Sequence, residues 1–199
     1  MGFIQPCRPI KAAGLHPGHR GFIKSNMMAS ACSCVGKAHG CDASRAAGLT
    51  GRIASRGIVN AASRIRAESF LIDGEAIVCG PDGRADFDAM RSRRRDRDVV
   101  LFAFDLLELK GEDWRGRQLA ERKKRLASLL ARSSGAIQLT EHLDDDGELV
   151  FVHACRMGLE GIVSKRIDAP YRSGPCKTWL KSKIPASEAV RREREEDWG

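Results

Sequence analysis

The sequence of 199 residues contains no apolar run approaching the roughly 20 residues that a helix needs to cross a bilayer. No signal-peptide pattern opens it, so we predict a cytoplasmic protein that does not enter a membrane. A disulfide scaffold is disfavoured as well, because the seven cysteines are odd in number. We therefore expect reduced thiols, as in proteins of a reducing compartment.

A zinc site is the alternative use for some of these cysteines. Cys32, Cys34, His39 and Cys41 lie close together in the chain. Structural zinc sites are built from two separated ligand pairs, and a C-x-C spacing without a second pair does not match that pattern. The sequence therefore gives only weak support for zinc.

The charge balance is basic, with 34 lysines and arginines against 26 aspartates and glutamates and a formal net charge of +8. Such a surface attracts polyanions, including nucleic acids and nucleotide phosphates. A basic surface that simply faces solvent gives the same composition, so charge alone does not identify a partner.

The pattern of the chain changes near Ile58. The stretch from Gly14 to Gly57 is rich in glycine, alanine, serine and cysteine and shows neither strand nor helix periodicity. It has little apolar area to offset the entropy lost on folding. We expect an irregular N-terminal quarter, one domain after it, and a charged tail at Ser187–Gly199.

Beyond Ile58 the hydrophobic pattern predicts strands interspersed with helices. The first of the two predicted helices carries Leu119, Leu126, Leu129 and Leu130 at helical spacing, with arginines and lysines on the opposite face. Because the order shows no regular βαβ alternation, it favours an α+β domain. The predicted strands are Ser69–Cys79, Val99–Leu109, Ile137–Leu139, Glu160–Lys165 and Trp179–Lys183, and the predicted helices are Gly116–Arg132 and Asp146–Met157.

Four short segments carry a resemblance to a known family. In order they are Leu71-Ile72-Asp73-Gly74-Glu75, Phe102-Ala103-Phe104-Asp105-Leu106-Leu107, Glu160-Gly161-Ile162-Val163-Ser164-Lys165-Arg166 and Trp179-Leu180-Lys181-Ser182-Lys183. They resemble the motifs of the adenylation (nucleotidyltransferase) domain of ATP-dependent DNA ligases, particularly the bacterial kind associated with double-strand-break repair. The resemblance implies an α+β nucleotidyltransferase fold with antiparallel sheets and flanking helices. It spans about Ile58 to Gly199 and, weakly, Phe3 to Pro9.

The resemblance also implies roles for two residues of the predicted strands. Glu75 matches the carboxylate that accepts hydrogen bonds from the ribose hydroxyls. Phe104 matches the aromatic ring that stacks on adenine. A carboxylate in a turn and a phenylalanine in a hydrophobic core are the alternatives for these two positions.

The remaining matches concern phosphates and metal. Glu160 matches the carboxylate placed near Mg²⁺, an ion that takes one or two carboxylates plus phosphate oxygens. Lys181 and Lys183 match the pair that neutralises the α-phosphate as pyrophosphate leaves, and their spacing puts them on one face of a strand. Lys165 also matches the family. ATP and Mg²⁺ are thus the implied cofactors and nicked double-stranded DNA the implied substrate, with end-joining repair proteins as possible partners.

The lysine that should carry AMP is missing. In this family a lysine in a K-x-D-G signature attacks the α-phosphate of ATP, and no K-x-D-G occurs in the chain. Lys24, followed by Ser25 and Asn26, lies at about the right distance from the other motifs but lacks the aspartate and glycine. Lys37 fits no better.

A shifted reading frame explains the missing signature. Met27 and Met28 can only be encoded by ATG ATG, and reading one base earlier converts this stretch to Tyr or His, Asp and Gly. With AAA allowed across the codons of Ser25 and Asn26, the hidden peptide reads Ile-Lys-Tyr-Asp-Gly-Phe-Arg. The same shift applied to Leu49–Arg56 allows Asp-Trp-Thr-Asp-Arg-Phe-Pro-Arg, which resembles the family again. We interpret about Gly21 to Gly57 as frameshifted.

These observations divide the chain into three predicted parts: residues 1–57 as a degenerate, frameshifted part of the adenylation domain, residues 58–186 as the rest of that domain, and residues 187–199 as the tail. We expect a DNA ligase family protein impaired in catalysis. The alternatives are an inactive ATP- or DNA-binding remnant and an RNA ligase or capping-type nucleotidyltransferase. Only the tail follows, whereas the OB-fold of full ligases needs about 80 to 100 residues, so weaker DNA binding is also expected.

Overall fold

A computed structural model describes the chain in two units. One comprises Met1–Pro6 and Ala29–Thr140, and the other Cys7–Met28 and Glu141–Gly199. The structure describes the backbone of three early strands, β1 (Cys7–Lys11), β2 (Arg20–Lys24) and β3 (Ala31–Lys37), and the complete residues 55–80, 86, 89, 98–133, 135–143, 145, 147–157, 159 and 161–184. The predictions for Glu160 and the tail concern residues outside these ranges.

The first unit is built around one sheet. After β3 come α1 (Arg56–Ser63), β4 (Ser69–Val78), β5 (Val99–Leu109), β6 (Glu112–Asp113), α2 (Leu119–Leu130) and β7 (Ile137–Leu139). The strands β3, β4, β5 and β6 are antiparallel neighbours in that order, and β7 pairs with β5 in parallel. Lys110 and Gly111 both have positive φ and form the two-residue turn between β5 and β6.

The core of this unit lies on one face of the sheet. Even-numbered residues of β4, such as Phe70, Ile72 and Ala76, pack with apolar residues of α1 and α2. Side chains alternate along a strand, so the odd-numbered residues of β4 lie on the other face. Ser55 is the N-cap of helix α1, and its hydroxyl accepts a hydrogen bond from the backbone N–H of Gly57.

The second unit has its own sheet, with α3 (Gly147–Arg156), β8 (Gly161–Lys165) and β9 (Gly174–Lys183). The strand order is β1-β9-β8-β2, and only the β1–β9 pair is parallel. Ile162 of β8 packs with Val150 and Ala154 of α3 and with Ile184. The helix therefore covers the face of the sheet that carries Ile162.

The fold class predicted from sequence is confirmed: helices flank two mainly antiparallel sheets. The bounds of β5 and β7 are as predicted, whereas α1 was not predicted, β9 begins five residues earlier than predicted, at Gly174, and β2 and β3 occur where irregular chain was expected. Within the described ranges no helix is long and apolar enough to cross a membrane.

One prediction for α2 was wrong. Its arginines and lysines were all placed opposite the leucines, yet Arg122 is fully buried and Lys123 is only 6% exposed. Both lie between Leu119 and Leu126 on the buried side, because positions three and four residues apart share a helix face.

Candidate functional site

Glu75 lies at the middle of β4 and is buried, with 1% of its surface exposed. Its register partners are Ala31 of β3 and Phe102 of β5. As an odd-numbered residue of β4 it lies on the sheet face opposite Phe70 and Ile72, and Asp73 shares that face. A carboxylate that is buried away from the apolar core is unusual and suits the binding of a hydroxyl-bearing ligand.

Phe104 lies at an irregularity of β5. Ala103 pairs with Gly74 and Asp105 pairs with Asp73, so the register skips Phe104, which is the pattern of a β-bulge. Two residues earlier, Phe102 lies opposite Glu75. By alternation Phe104 shares that face, and the two residues predicted to bind the nucleoside therefore lie on the same side of the sheet.

The bulges explain the burial pattern of β5. A second residue, Leu107, is also skipped between Leu106 and Glu108. Each bulge shifts the strand alternation by one position, so the core residues are odd-numbered, then even-numbered, then odd-numbered again. The β5 residues in the core are Val99, Leu101, Ala103, Leu106 and Leu109.

Gly74 is required by the close approach of β4 and β5. A Cβ atom built at this position would lie 2.9 Å from the carbonyl oxygen of Phe102 and 3.1 Å from Cα of Ala103. Any larger residue would push the strands apart. The glycine of the Asp-Gly-Glu motif thus maintains the pairing that places Glu75 opposite Phe102.

Next to Phe104, Asp105 forms a buried ion pair with Arg122 of α2. Nε of Arg122 donates to Oδ1 at 2.7 Å and Nη2 donates to Oδ2 at 2.9 Å. Neither side chain is exposed. Oδ1 of Asp105 also accepts from the backbone N–H of Leu106 at 2.9 Å. This two-point contact fixes both the helix and the bulged strand.

Sequence reasoning did not identify this pair. The available signals were an aspartate inside an otherwise apolar strand and an arginine on the leucine side of a helix. Each is an ionisable group at a buried position, and such groups are almost always paired.

Lys123 follows Arg122 and is also buried. Loss of hydration lowers its pKa from 10.5 to about 8, while the charge of Asp105 raises it and the charge of Arg122 lowers it further. The local cluster thus contains two cations and one carboxylate, and the second cation is held at a cost in stability.

In the second unit the three predicted lysines share one face of the sheet. Lys181 lies opposite Val163, Lys183 lies opposite Gly161, and Lys165 lies opposite Trp179. Directly opposed residues of antiparallel strands project to the same side. This side is opposite the one that α3 covers.

Lys165 lies against an aromatic pair. Its Nζ atom is 3.4 Å from the centroid of the Trp179 ring, and the Tyr171 ring meets Trp179 edge-on at 6.0 Å. Only 5% of Lys165 is exposed. The ring face partly replaces water around the ammonium group, which allows a buried cation here.

The register adds basic positions from the early strands. Lys11 of β1 is the partner of Lys181, and Lys24 of β2 is the partner of Gly161, which in turn pairs with Lys183. Lys37 lies at the end of β3 in the other unit, opposite Ser69. Basic backbone positions are therefore concentrated in the sheet of the second unit, a distribution suited to phosphate groups.

No described residue set supports a metal site by itself. Within the described ranges there is no group of three or more histidine, cysteine, aspartate or glutamate side chains that could hold a metal ion. Glu160, the predicted Mg²⁺ ligand, falls outside those ranges, as does His39 of the weak zinc alternative.

Comparison with known proteins identifies the family. The family described as "ATP dependent DNA ligase domain" matches residues 49–183. The chain belongs to this family. The ligase family resemblance drawn from the four motifs is thereby confirmed, and the matched range begins nine residues before the boundary predicted at Ile58.

Relatives of this ligase family domain include much longer proteins. This chain is 35% identical over 116 residues to the "Multifunctional non-homologous end joining protein LigD" of Pseudomonas aeruginosa. The match covers 56% of this chain and 14% of that protein. The "Multifunctional non-homologous end joining DNA repair protein LigD" of Mycobacterium tuberculosis is 37% identical over 114 residues, 57% of this chain and 15% of that protein. The chain therefore matches about one seventh of these relatives.

Solved structures show the same fold. A structure titled "mycobacterial DNA ligase D complexed with ATP and MES" superimposes with a TM-score of 0.68 at 25% identity, covering 90% of this chain and 60% of that one. The ligase domain of LigD from M. tuberculosis gives a TM-score of 0.68 at 27% identity, covering 90% and 59%.

Proposed function

We propose that this chain is the adenylation domain of an end-joining repair ligase that acts on nicked double-stranded DNA, and that it binds ATP but is impaired in forming lysyl-AMP. The relatives carry end joining in their names. The proposed partners are nicked DNA and end-joining repair proteins, and the proposed location is the cytoplasm.

The observation that carries the proposal is the shared face of Glu75 and Phe104. A buried carboxylate accepts hydrogen bonds from paired ribose hydroxyls, and an aromatic ring at the bulge offers a flat surface to adenine. We propose these two roles for them.

The sheet face of the second unit that carries Lys165, Lys181 and Lys183 is called the lysine face. We propose that the phosphates of ATP bind to it. Lys165, Lys181 and Lys183 would offset the negative charge of the triphosphate, which concentrates near the α-phosphate as pyrophosphate leaves. Glu160 is the proposed Mg²⁺ ligand, and the ion would supply further charge neutralisation when bound.

The impaired step is proposed from the sequence. Self-adenylation forms a bond between a lysine nitrogen and the α-phosphorus, releases pyrophosphate, and requires the amine to lose its proton. AMP would then pass to a DNA 5′-phosphate, and attack by the 3′-hydroxyl would release AMP. Without K-x-D-G the first bond has no proper acceptor, and we attribute this to a shifted frame over about Gly21 to Gly57.

A specific observation favours one alternative, which is residual adenylation at Lys24. Lys24 is the last residue of β2. Its backbone pairs with Gly161 of β8, which in turn pairs with Lys183 of β9. In the shifted frame, the hidden lysine spans the codons of Ser25 and Asn26, only two positions further along.

Labelling separates these possibilities. The purified chain is incubated with α-labelled ATP and Mg²⁺ and run on a denaturing gel. Three variants are run beside it: Lys24→Ala, Lys37→Ala as the matched control, and a frame-restored variant. In the frame-restored variant the gene is read one base earlier from the codon after Lys24 to the codon of Gly57. Little or no label on the chain and strong label on the frame-restored variant support impairment. Label that disappears only in Lys24→Ala would instead establish Lys24 as the acceptor.

Substrate choice tests the remaining alternatives. The frame-restored variant should join a nicked DNA duplex in preference to the same nick flanked by RNA or a capping substrate. Failure of that variant to take up label, together with retained ATP binding, would favour the inactive remnant.

A further inference from the structure

The geometry points to Asp105 and Arg122 as positioning residues for Phe104, the proposed adenine-stacking residue. This inference rests on the proposed ATP binding and assigns the orientation of the aromatic ring to the buried ion pair formed by the next residue of β5. It predicts that the pair affects binding of the adenine base and leaves binding of the triphosphate unchanged.

The first step concerns the bulge. The register of β5 with β4 skips Phe104 between Ala103 and Asp105, as it skips Leu107 further along. Bulged residues depend on neighbouring contacts for their orientation. The residue that follows, Asp105, is such a neighbour, and it pairs with Asp73 of β4.

The second step concerns how Asp105 is held. Arg122 donates to both carboxylate oxygens at 2.7 and 2.9 Å, and both side chains are fully buried. A planar guanidinium bound at two points restricts rotation as well as distance. Oδ1 also accepts from the Leu106 N–H, so the peptide groups on the C-terminal side of the bulge are fixed with the side chain.

The third step concerns what holds Arg122. Its Nη1 donates to the carbonyl oxygen of Arg117, just before α2, and the helix packs its Leu126 and Leu130 into the core. The guanidinium is thus anchored to the start of a packed helix. Any loss of the two-point contact should free the Phe104 segment while the core contacts of α2 remain.

The test compares two probes on three proteins. Affinities of ATP and of inorganic tripolyphosphate are measured by calorimetry for the wild type, for Arg122→Lys and for Leu126→Ala, well below each melting temperature. Arg122→Lys keeps the positive charge opposite Asp105 and loses the planar fork. Leu126→Ala destabilises the same helix one turn further along without altering the ion pair.

We expect Arg122→Lys to weaken ATP binding about twofold to tenfold, the range that one stacked ring supplies. Tripolyphosphate binding should stay at the wild-type value, and Leu126→Ala should bind both probes as the wild type does. Backbone amide exchange at Leu106 should be faster in Arg122→Lys. If Arg122→Lys does not fold, Arg122→Gln, which keeps a donor to Asp105, is measured in the same way.

Two outcomes would overturn the inference while leaving the proposed function intact. One is wild-type affinity for ATP in the Arg122 variant, and the other is equal weakening of ATP and tripolyphosphate, which marks a purely structural role. A folded wild type that binds neither probe would instead remove the proposed function, and the inference with it.

Discussion

Arg122 and Asp105 are seventeen positions apart in the chain and form a two-point ion pair from which solvent is excluded. Removing one partner leaves a buried charge uncompensated, which costs about 3 to 5 kcal/mol. We therefore expect Asp105→Asn to lower the free energy of unfolding by that amount in urea titrations.

The matched control is Asp113→Asn, which breaks the contact between Asp113 and Arg115. These side chains are 56% and 40% exposed, and exposed pairs contribute about 0 to 1 kcal/mol. Similar losses in the two variants would contradict the importance assigned to burial.

Lys123 predicts a distinct pH dependence of stability. Its pKa falls from 10.5 to about 8 on folding. Between about pH 8 and 10.5 the unfolded chain therefore holds the Lys123 proton more often than the folded chain does. Because of this difference, the free energy of unfolding increases as pH rises from about 8 to 10.5. The cost of the buried charge at pH 7 is at most about 3 kcal/mol. Lys123→Met should therefore be more stable than the wild type at pH 7.

This advantage should shrink between about pH 8 and 10.5. The measurement is the difference in unfolding free energy between wild type and Lys123→Met across that range, which cancels the titration of other groups. A difference that does not vary with pH would contradict the lowered pKa.

Gly74 predicts a steric effect on the same sheet. A methyl group at this position would meet the backbone of Phe102 and Ala103 at 2.9 and 3.1 Å, so Gly74→Ala should destabilise the protein by about 1 to 3 kcal/mol. Gly116 has nothing within 4 Å of a Cβ, and Gly116→Ala should change stability little. Thermal unfolding of both variants gives the comparison, and equal melting temperatures would refute the close approach.

The lysine face predicts a selective loss of phosphate binding. Lys183→Ala and Lys181→Ala should each weaken binding of tripolyphosphate about tenfold to a hundredfold, because a charge-assisted hydrogen bond contributes roughly 1.5 to 3 kcal/mol. Lys124, an exposed residue of α2, provides the control, since Lys124→Ala removes the same charge from the other unit. If all three variants lose affinity equally, net charge rather than the face is responsible.

The pattern of apolar residues was sufficient for much of the fold. Val99–Leu109 and Ile137–Leu139 were predicted with correct bounds because a continuous apolar run between polar segments has few other solutions. Helix α1 was not predicted, although Ser55 is a good N-cap, because the apolar pattern there is short and follows a stretch without periodicity. The family was evident from four motifs, whereas the roles of Glu75, Phe104, Lys165, Lys181 and Lys183 stay predictions.

The sequence by itself determined the family, the fold class and the absence of K-x-D-G, since these depend on residue order alone. Only the tertiary structure decided that Phe104 lies on a bulge, that Arg122 and Lys123 are buried, and that Lys165 rests on Trp179. Register and burial arise from contacts between residues distant in the chain, and local periodicity carries no information about which of those contacts form.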